Sequence, residues 1–509
     1  MARWYLLGLP LLLGVGLLAC GSSAADSGAG PGPGGASGAG GYLPDGGISV
    51  GGTGGNGEVS TEAAPLNPDV LLKPSSSSPP TGASACAGFD SGSLLTIAVA
   101  DAHGMASGPR IRELLAKGTP GPAAVRRDEI TNYFRLDWPS APVAGGFFAR
   151  VGLRPRTVDG TVLPNHYDLL MAVRADPAVH TRKKVEMVVV LETSSAIADE
   201  SLARGRKAVR ALANSMLPGD HFTLRNVAGT EAFSAELKDP KTELAGVEEL
   251  LGRETGESTR IAVEKARTKL QTTPADPAVW KRAVLVSNGG SSDGPDLSVV
   301  ETAASGQHRI FFSAVGLGGD AYNGALLGAL SRAGRGAHLY ADSEAEPSKV
   351  IEPRFDELFG LAAEDVRFSI KLPWFAKSTD PLVPDGVDPA PPKHLSPGGT
   401  MIQVSHLLLC DTALANAAET LDITVSYTLP GTGTTAILPL KLGQLSTEVA
   451  QPVPELDELG AIDAWVAAFR APSASRYELA SQLLAKNALQ GKAPFDELKT
   501  LLALHPNAP

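Results

Sequence analysis

The sequence has little of what a nucleic-acid-binding protein needs. Its 509 residues include 44 Lys and Arg against 55 Asp and Glu, so the formal net charge is -11, and aromatic residues make up only 5% of the chain. Phosphate backbones are bound by clustered positive charge, and single strands are bound by stacking on aromatic rings. The composition therefore argues against a nucleic-acid partner.

Motifs of common catalytic sites are also missing. The chain has no HExxH or CxxC motif, and its nine histidines include no pair at the spacing of metal ligands. These absences predict a protein that is not an enzyme. An envelope enzyme with an unrecognised site stays open as an alternative, and it would need titratable side chains that converge near Asp101, His103 or Asp128.

Cysteine is scarce as well, and the first of the three cysteines, Cys20, ends an apolar leader. Arg3 is the only charge before the uncharged run from Trp4 to Ala19, which Pro10 interrupts. The run is slightly short for a membrane-spanning helix. Its last residues, Leu-Leu-Ala-Cys, resemble the signal of bacterial lipoproteins, in which the cysteine is lipidated and becomes the mature N-terminus.

That resemblance implies a signal peptide over residues 1–20 and a lipid, palmitate included, on Cys20. Several acyl chains on one residue are enough for stable membrane anchoring. Gly21 in place of aspartate resembles the case sorted to the outer membrane, so the expected location is the bacterial cell envelope, the outer membrane more than the inner. An ordinary secretory leader and an uncleaved anchor are the alternatives.

The segment from 21 to 85 is rich in Gly, Ser, Ala and Pro. Such a composition buries too little apolar surface to offset the entropy of ordering, so we expect a disordered tether between lipid and folded body. An exported compartment permits disulfides, and Cys86 and Cys410 are either bonded to each other or two unrelated thiols.

Alternation of buried strands and amphipathic helices indicates an α/β domain over residues 183–362. Met187 to Leu191 is a continuous apolar run, typical of a strand covered on both faces, and the polar turn Glu192 to Ser195 separates it from a helix. Later stretches repeat the pattern, with expected helices at Leu244 to Leu251 and Pro347 to Leu361. This alternation predicts a doubly wound, mostly parallel sheet with ligands bound at the carboxyl ends of its strands.

The flanks of this domain have a different character. We expect helices and flanking strands in residues 86–182, a β-rich domain in residues 363–450 and a helical region in residues 451–509. Strands on both sides of the α/β domain, Phe147 to Arg174 and Asp365 to Leu442, favour one joint β-sandwich that the domain interrupts.

Several short motifs, in order, resemble bacterial lipoproteins that carry a von Willebrand factor type A (VWA) domain. They are Asp128–Phe134 followed by Asp137-Trp138-Pro139, Pro218-Gly219-Asp220, Gly256–Thr259, Gly316-Leu317-Gly318 and Ala337–Ala341. Each is short, but their order and spacing together indicate the domain.

The VWA family holds a metal ion with a DxSxS motif, a threonine on a second loop and an aspartate after a later strand. The resemblance places these positions at Glu192, Ser194, Ala196, Thr259 and Asn288. The first carboxylate is thus one methylene longer, Ala196 has no ligand atom, and Asn288 is neutral. Mg²⁺ needs hard oxygen ligands in tight octahedral geometry, so the departures predict a degenerate metal site.

The resulting prediction is a non-enzymatic, lipid-anchored protein-binding module that needs no metal or other cofactor and has an envelope or surface protein as its partner. In the first alternative, the protein is an adhesin that binds an acidic group through Mg²⁺ or Mn²⁺ held by Ser194 and Thr259. A structural role in the envelope is also left open.

Overall fold

Three β-sheets and their covering helices make up the part of the chain that the computed structural model describes. The described residues are 47–49, 94–97, 103–118, 121–136, 139–158, 161–195, 197–254, 258–290, 293–319, 321–379, 393–410 and 420–505. The predicted signal peptide lies outside them, as do Cys20, Cys86 and Ala196. Of the predicted tether, the structure describes one strand, Gly47–Ser49.

The strands are β1 (Gly47–Ser49), β2 (Leu94–Ile97), β3 (Pro142–Val143), β4 (Phe147–Val158), β5 (Thr161–Ala175), β6 (Lys184–Leu191), β7 (His221–Asn226), β8 (Glu231–Glu236), β9 (Val279–Ser287), β10 (Ile310–Gly316), β11 (Arg335–Tyr340), β12 (Ala363–Lys371), β13 (Ala376–Ser378), β14 (Lys393–Leu395), β15 (Thr400–Leu409), β16 (Leu421–Thr428) and β17 (Thr435–Leu442). The helices are α1 (Ser107–Lys117), α2 (Arg127–Phe134), α3 (Asp199–Asn214), α4 (Pro240–Glu243), α5 (Thr259–Gln271), α6 (Leu297–Ser305), α7 (Gly324–Ala333), α8 (Glu346–Ile351), α9 (Phe355–Phe359), α10 (Leu445–Glu448), α11 (Pro454–Arg470), α12 (Ala474–Leu484) and α13 (Ala493–Ala503).

The central sheet has the strand order β11-β10-β9-β6-β7-β8. Its strands run parallel except for β8, which pairs antiparallel with β7 at one edge. Met187, Val189 and Leu191 of β6 face one apolar core, while Val188 and Val190 face the other. The unbroken apolar run of β6 is explained by this burial on both faces, and the predicted α/β fold is confirmed.

The other two sheets pack face to face as a β-sandwich. One has the order β1-β17-β16-β12-β14, with β2 also paired to β12, and the other has the order β13-β15-β5-β4-β3. Apolar residues from both sheets share one core. Because β5 pairs with β15 from Arg174↔Thr400 to His166↔Leu408, strands from before and after the central domain lie in one sheet. The expected joint sandwich is therefore present, and the predicted stretches 86–182 and 363–450 both contribute to it.

Two predicted helices are wrong in detail. The helix expected from Pro347 to Leu361 is divided into α8, a 3-10 turn at Glu352–Arg354, and α9. Pro353, which has no N–H, accounts for the break. The helix expected from Leu244 to Leu251 is a single 3-10 turn, since Gly246 has a left-handed φ of +76° just before it.

The C-terminal helices pack against the N-terminal helices α1 and α2. Arg127 of α2 pairs with Asp463 of α11 at 2.5 Å, and Arg112 of α1 pairs with Glu497 of α13 at 2.5 Å. Trp465 of α11 is fully buried and donates its ring N–H to the backbone oxygen of Leu498 at 2.9 Å. Within the described part of the chain, no helix is both long enough and apolar enough to cross a bilayer.

Candidate functional site

The predicted site lies where β6 and β9 end side by side. Glu192 follows β6, and its backbone N–H donates to the oxygen of Val286 at 2.9 Å. Glu192 is 7% exposed. Its carboxylate accepts hydrogen bonds from the hydroxyl of Ser287 at 2.5 Å, the hydroxyl of Ser194 at 3.3 Å and the backbone N–H of Asn288 at 3.2 Å. Three donors from two loops thus converge on one buried carboxylate.

These contacts compensate the charge of Glu192 without an ion. A buried carboxylate is costly unless its oxygens are hydrogen-bonded, and hydrogen bonds to a charged acceptor are stronger than those between neutral groups. The length of the glutamate side chain brings its carboxylate within reach of Ser287 and Asn288 on the neighbouring loop. We refer to Glu192, Ser194, Ser287 and Asn288 as the Glu192 cluster.

Backbone contacts hold the loop after β9 in one conformation. The Asn288 side-chain oxygen accepts from the N–H of Gly290 at 2.7 Å, and its backbone oxygen accepts from the N–H of Asn323 at 2.7 Å. Gly289 has a φ of +71°, which favours glycine, and its N–H donates to the Ser287 hydroxyl at 2.8 Å. The neutral carbonyl that Asn288 contributes is therefore already engaged within its own loop.

Thr259, the remaining predicted site residue among those described, lies at the start of α5. It is buried in the first turn of α5, behind Ser258, whose hydroxyl accepts from the N–H of Ile261 at 3.1 Å and so caps the helix. Ser258 also donates to Asp293 at 2.5 Å. The structure thus joins Glu192, Ser194 and Asn288 by hydrogen bonds, and it places Thr259 at the buried N-terminal end of α5.

Arg253 is a site residue that sequence reasoning missed. Its guanidinium donates to the backbone oxygens of Ser194 and Ile197 at 2.5 Å each, and it also contacts the carboxylate of Asp199. The loop after β6 is therefore closed by a fixed positive charge. Nothing in the sequence near Arg253 signals this role, since the contact depends on how two distant loops pack.

The described oxygens do not suit Mg²⁺ as they stand. Mg²⁺ needs several hard oxygen ligands in near-ideal geometry and gives up its water reluctantly. Here the carboxylate of Glu192 accepts from three protein donors, and the Asn288 oxygen accepts from Gly290. Arg253 adds a positive charge at Ser194, which would oppose a second cation.

A second polar group lies at the same edge of the sheet, around Glu113 of α1. This carboxylate accepts from Arg204 of α3 at 3.2 Å and from the hydroxyl of Tyr340, which ends β11. Burial by itself would raise the pKa of Glu113, but hydrogen bonds from Lys117, Tyr340 and Arg204 together lower it below its usual value. Helix α1 is thus tied to the edge of the central sheet by a carboxylate that remains charged.

Fold and site together define an α/β domain whose functional edge is the end of a parallel sheet. A family model described as von Willebrand factor type A domain matches residues 186–352, and this segment is a VWA domain. VWA domains are protein-interaction modules, so the coarse function of the segment is protein interaction.

Comparison with known proteins extends the likeness beyond that domain. The chain is 24% identical over 283 residues to the uncharacterized protein YfbK of Escherichia coli (strain K12). The matched region covers 52% of this chain and 47% of the relative. The match thus spans about half the length of that relative. Among solved structures, the chain is similar to the ArnB paralog VWA2 of Sulfolobus acidocaldarius, with 13% identity and a TM-score of 0.39. The similarity covers 72% of this chain and 99% of that one. The chain is also similar to a von Willebrand factor type A protein of Catenulispora acidiphila, with 14% identity, a TM-score of 0.40 and the same coverage of both chains.

Proposed function

We propose that this protein is a lipid-anchored, extracytoplasmic binding module whose VWA domain engages a protein partner without a divalent cation. The observation that carries the proposal is the Glu192 carboxylate, which accepts hydrogen bonds from Ser194, Ser287 and Asn288. In this arrangement the charge at the edge of the sheet is balanced by the protein itself. The partner then binds to a preformed surface rather than to a metal ion.

A cation would have to break this arrangement to bind. It would replace three hydrogen bonds to a buried carboxylate and gain few ligands, because Ala196 has no oxygen in its side chain and Asn288 has no charge. Mg²⁺ with a single carboxylate would not recover the cost of losing its water. The Glu192 cluster therefore serves as a structural replacement for a metal site.

The proposed role includes no catalytic step. The Glu192 cluster consists of a carboxylate, hydroxyls and a backbone amide that hydrogen-bond to one another. His103, which the alternative enzyme would use, is buried, stacks on His394 at 4.1 Å between ring centroids and is 2.8 Å from the hydroxyl of Ser396. These contacts favour a packing role for His103.

The anchoring part of the proposal rests on the leader. A lipid on Cys20 would hold the protein at the bacterial envelope, and residues 21–85 would link it to the VWA domain. Cys20→Ser should move the protein from the detergent phase to the aqueous phase in a detergent phase-separation assay and abolish palmitate labelling. Labelling that persists in this variant would refute the lipid anchor.

The binding part is tested by crosslinking the anchored protein in its native membrane and recovering it with and without chelator. The expected result is the same crosslinked partner in both samples, and loss of that partner when the VWA domain is deleted. A partner that disappears with EDTA and returns with Mg²⁺ or Mn²⁺ would instead support the metal-dependent adhesin, in which Ser194 and Thr259 hold the ion.

A further inference from the structure

Three arginines lie along one face of α7 and form what we call the arginine row: Arg110, Arg126 and Arg332. Glycines provide the room beneath them. A Cβ added at Gly328 would lie 2.8 Å from the Nη1 of Arg126 and 3.2 Å from the Nη1 of Arg332. One turn earlier, a Cβ at Gly324 would lie 2.7 Å from the Nη1 of Arg110. Two guanidinium groups therefore converge on one point above α7, and the third lies one turn away.

The positive charge of the row is poorly compensated by the protein. The carboxylate that contacts it is Glu129, which accepts from Arg126 at 2.9 Å and from the hydroxyl of Ser107 at 2.7 Å. The guanidinium groups of Arg110 and Arg332 make no hydrogen bond or ion pair with any residue that the structure describes. Arg110 instead stacks over the ring of Tyr322, with its guanidinium carbon 4.6 Å from the ring centroid.

Such an arrangement points to an anion. Like charges that converge at a partly buried place repel each other, and an anionic group placed between them removes the repulsion. A guanidinium binds a carboxylate with two parallel hydrogen bonds, so two adjacent guanidiniums can hold an acidic side chain firmly. In a chain with a net charge of -11, the row is also a local attraction for an acidic partner.

The arginine row is continuous with the candidate site. Helix α7 begins directly after Asn323, whose N–H donates to the backbone oxygen of Asn288 at 2.7 Å. A partner that sits on the Glu192 cluster therefore reaches the row by extending along α7. Gly324 and Gly328 beneath the row are buried, the Arg126 side chain is 32% exposed, and Arg332 is exposed. An extended peptide that lies along α7 would contact all three guanidinium groups.

We propose that the arginine row binds an acidic, Asp- or Glu-rich segment of the protein partner. The inference rests on the proposed protein-binding function and identifies the surface and the partner chemistry. Arg332 and the Arg126 side chain would hold one carboxylate above Gly328, and Arg110 would hold a second one nearer to the edge of the sheet.

The test measures binding of a fluorescent octaglutamate peptide to the full-length protein in detergent, by fluorescence anisotropy, beside an octaglutamine peptide. We expect binding of octaglutamate, weaker at high salt, and no binding of octaglutamine. Arg332→Gln and Arg110→Gln should each weaken octaglutamate binding about tenfold, as expected for loss of a charge-assisted hydrogen bond. Arg367→Gln is the matched control, because Arg367 is an exposed arginine of β12 in the sandwich, away from α7, and it should change affinity less than twofold.

Equal weakening by Arg367→Gln, or none by the two row variants, would overturn the inference. If phosphatidylglycerol vesicles bind through Arg110 and Arg332 and octaglutamate does not bind, the row recognises a lipid surface. That result would also overturn the inference. The row variants are also placed in the membrane crosslinking experiment. If the row variants lose peptide binding but keep the crosslinked partner, the acidic segment is refuted and the proposed function stands. If the VWA domain captures no partner at all, the proposed function itself is refuted.

Discussion

At the residue scale, one methylene group distinguishes Glu192 from the aspartate of the VWA pattern. The pattern at Glu192 keeps the carboxylate of the VWA family but lengthens its side chain. In the structure that length is used to reach Ser287 and Asn288 on the loop after β9. The carboxylate thereby joins the loops that follow β6 and β9.

Glu192→Gln should destabilise the protein by about 1–3 kcal/mol, because the amide places an N–H₂ group against the donors that now bind the carboxylate. Urea unfolding followed by circular dichroism measures the change. Glu301→Gln on the exposed face of α6 is the matched control and should alter stability little. Equal stability of the Glu192→Gln and wild-type proteins would mean that the Glu192 cluster contributes nothing to the fold.

Restoring the family pattern should restore metal binding. The triple substitution Glu192→Asp, Ala196→Ser and Asn288→Asp shortens one carboxylate, adds a hydroxyl and adds a charge. We expect its melting temperature to rise in millimolar Mg²⁺ or Mn²⁺, by the stabilisation that any ligand specific for the folded state provides. The wild-type melting temperature should not change, and a metal-dependent rise in wild type that Ser194→Ala removes would contradict the metal-independent proposal.

At the scale of elements, buried polar contacts join the N-terminal helices to the central domain. Glu129 of α2 accepts from Ser107 of α1 and lies 3.3 Å from the ring nitrogen of His338 in β11. Burial by itself would raise the pKa of Glu129. The hydrogen bond and charge of His338, the Ser107 hydroxyl and the Arg126 guanidinium outweigh it, and the pKa falls to about 2.

This shift predicts acid sensitivity with a definite direction. A carboxylate whose pKa is lower in the folded state stabilises the fold above its unfolded pKa near 4.5, and that contribution is lost as the pH falls from there towards about 2. The loss should be on the order of 3 kcal/mol. Urea unfolding of wild type at pH 5.5 and at lower pH values measures it.

Glu129→Gln should be less stable than wild type at neutral pH and should show a weaker dependence on pH in the same range. Glu301→Gln serves again as the control, with the wild-type pH dependence expected. A Glu129→Gln protein that loses stability with falling pH as steeply as wild type would assign the acid sensitivity to other groups.

At the scale of the whole molecule, the β-sandwich is assembled across the inserted VWA domain. The pairing of β5 with β15 brings the two flanks together. The VWA domain follows β5 of one sheet and is followed by β12 of the other sheet. Cys410 directly follows β15 and is disulfide-bonded, while its expected partner Cys86 lies outside the described residues. A bond between these two cysteines would link residue 86 to the end of β15 in the sandwich.

Peptide mapping without reduction should therefore recover Cys86 and Cys410 in one crosslinked peptide. Reduction, or the double substitution of both cysteines by serine, should lower the free energy of unfolding by about 2–4 kcal/mol, since the link restricts the unfolded chain. Intermolecular dimers on a non-reducing gel in place of the internal link would contradict the pairing.

The sequence by itself determined the features that depend on local pattern. The apolar run of β6 predicted a central strand buried on both faces, and the motifs around it predicted a VWA domain with altered site residues. The sequence also predicted a helical region over residues 451–509, where the structure has α11, α12 and α13. Local periodicity carries this information because it records which faces of an element are buried.

Only the tertiary structure decided which distant groups meet. Strand β15, which completes the sandwich, was not predicted, although its sequence Thr400–Leu409 is rich in apolar residues. The closure of the Ser194 loop by Arg253 and the convergence of Arg126 and Arg332 above Gly328 were not foreseen either. The physical reason is that a residue pattern reports burial but not the identity of the partner, and a partner far along the chain is selected by packing of the whole fold.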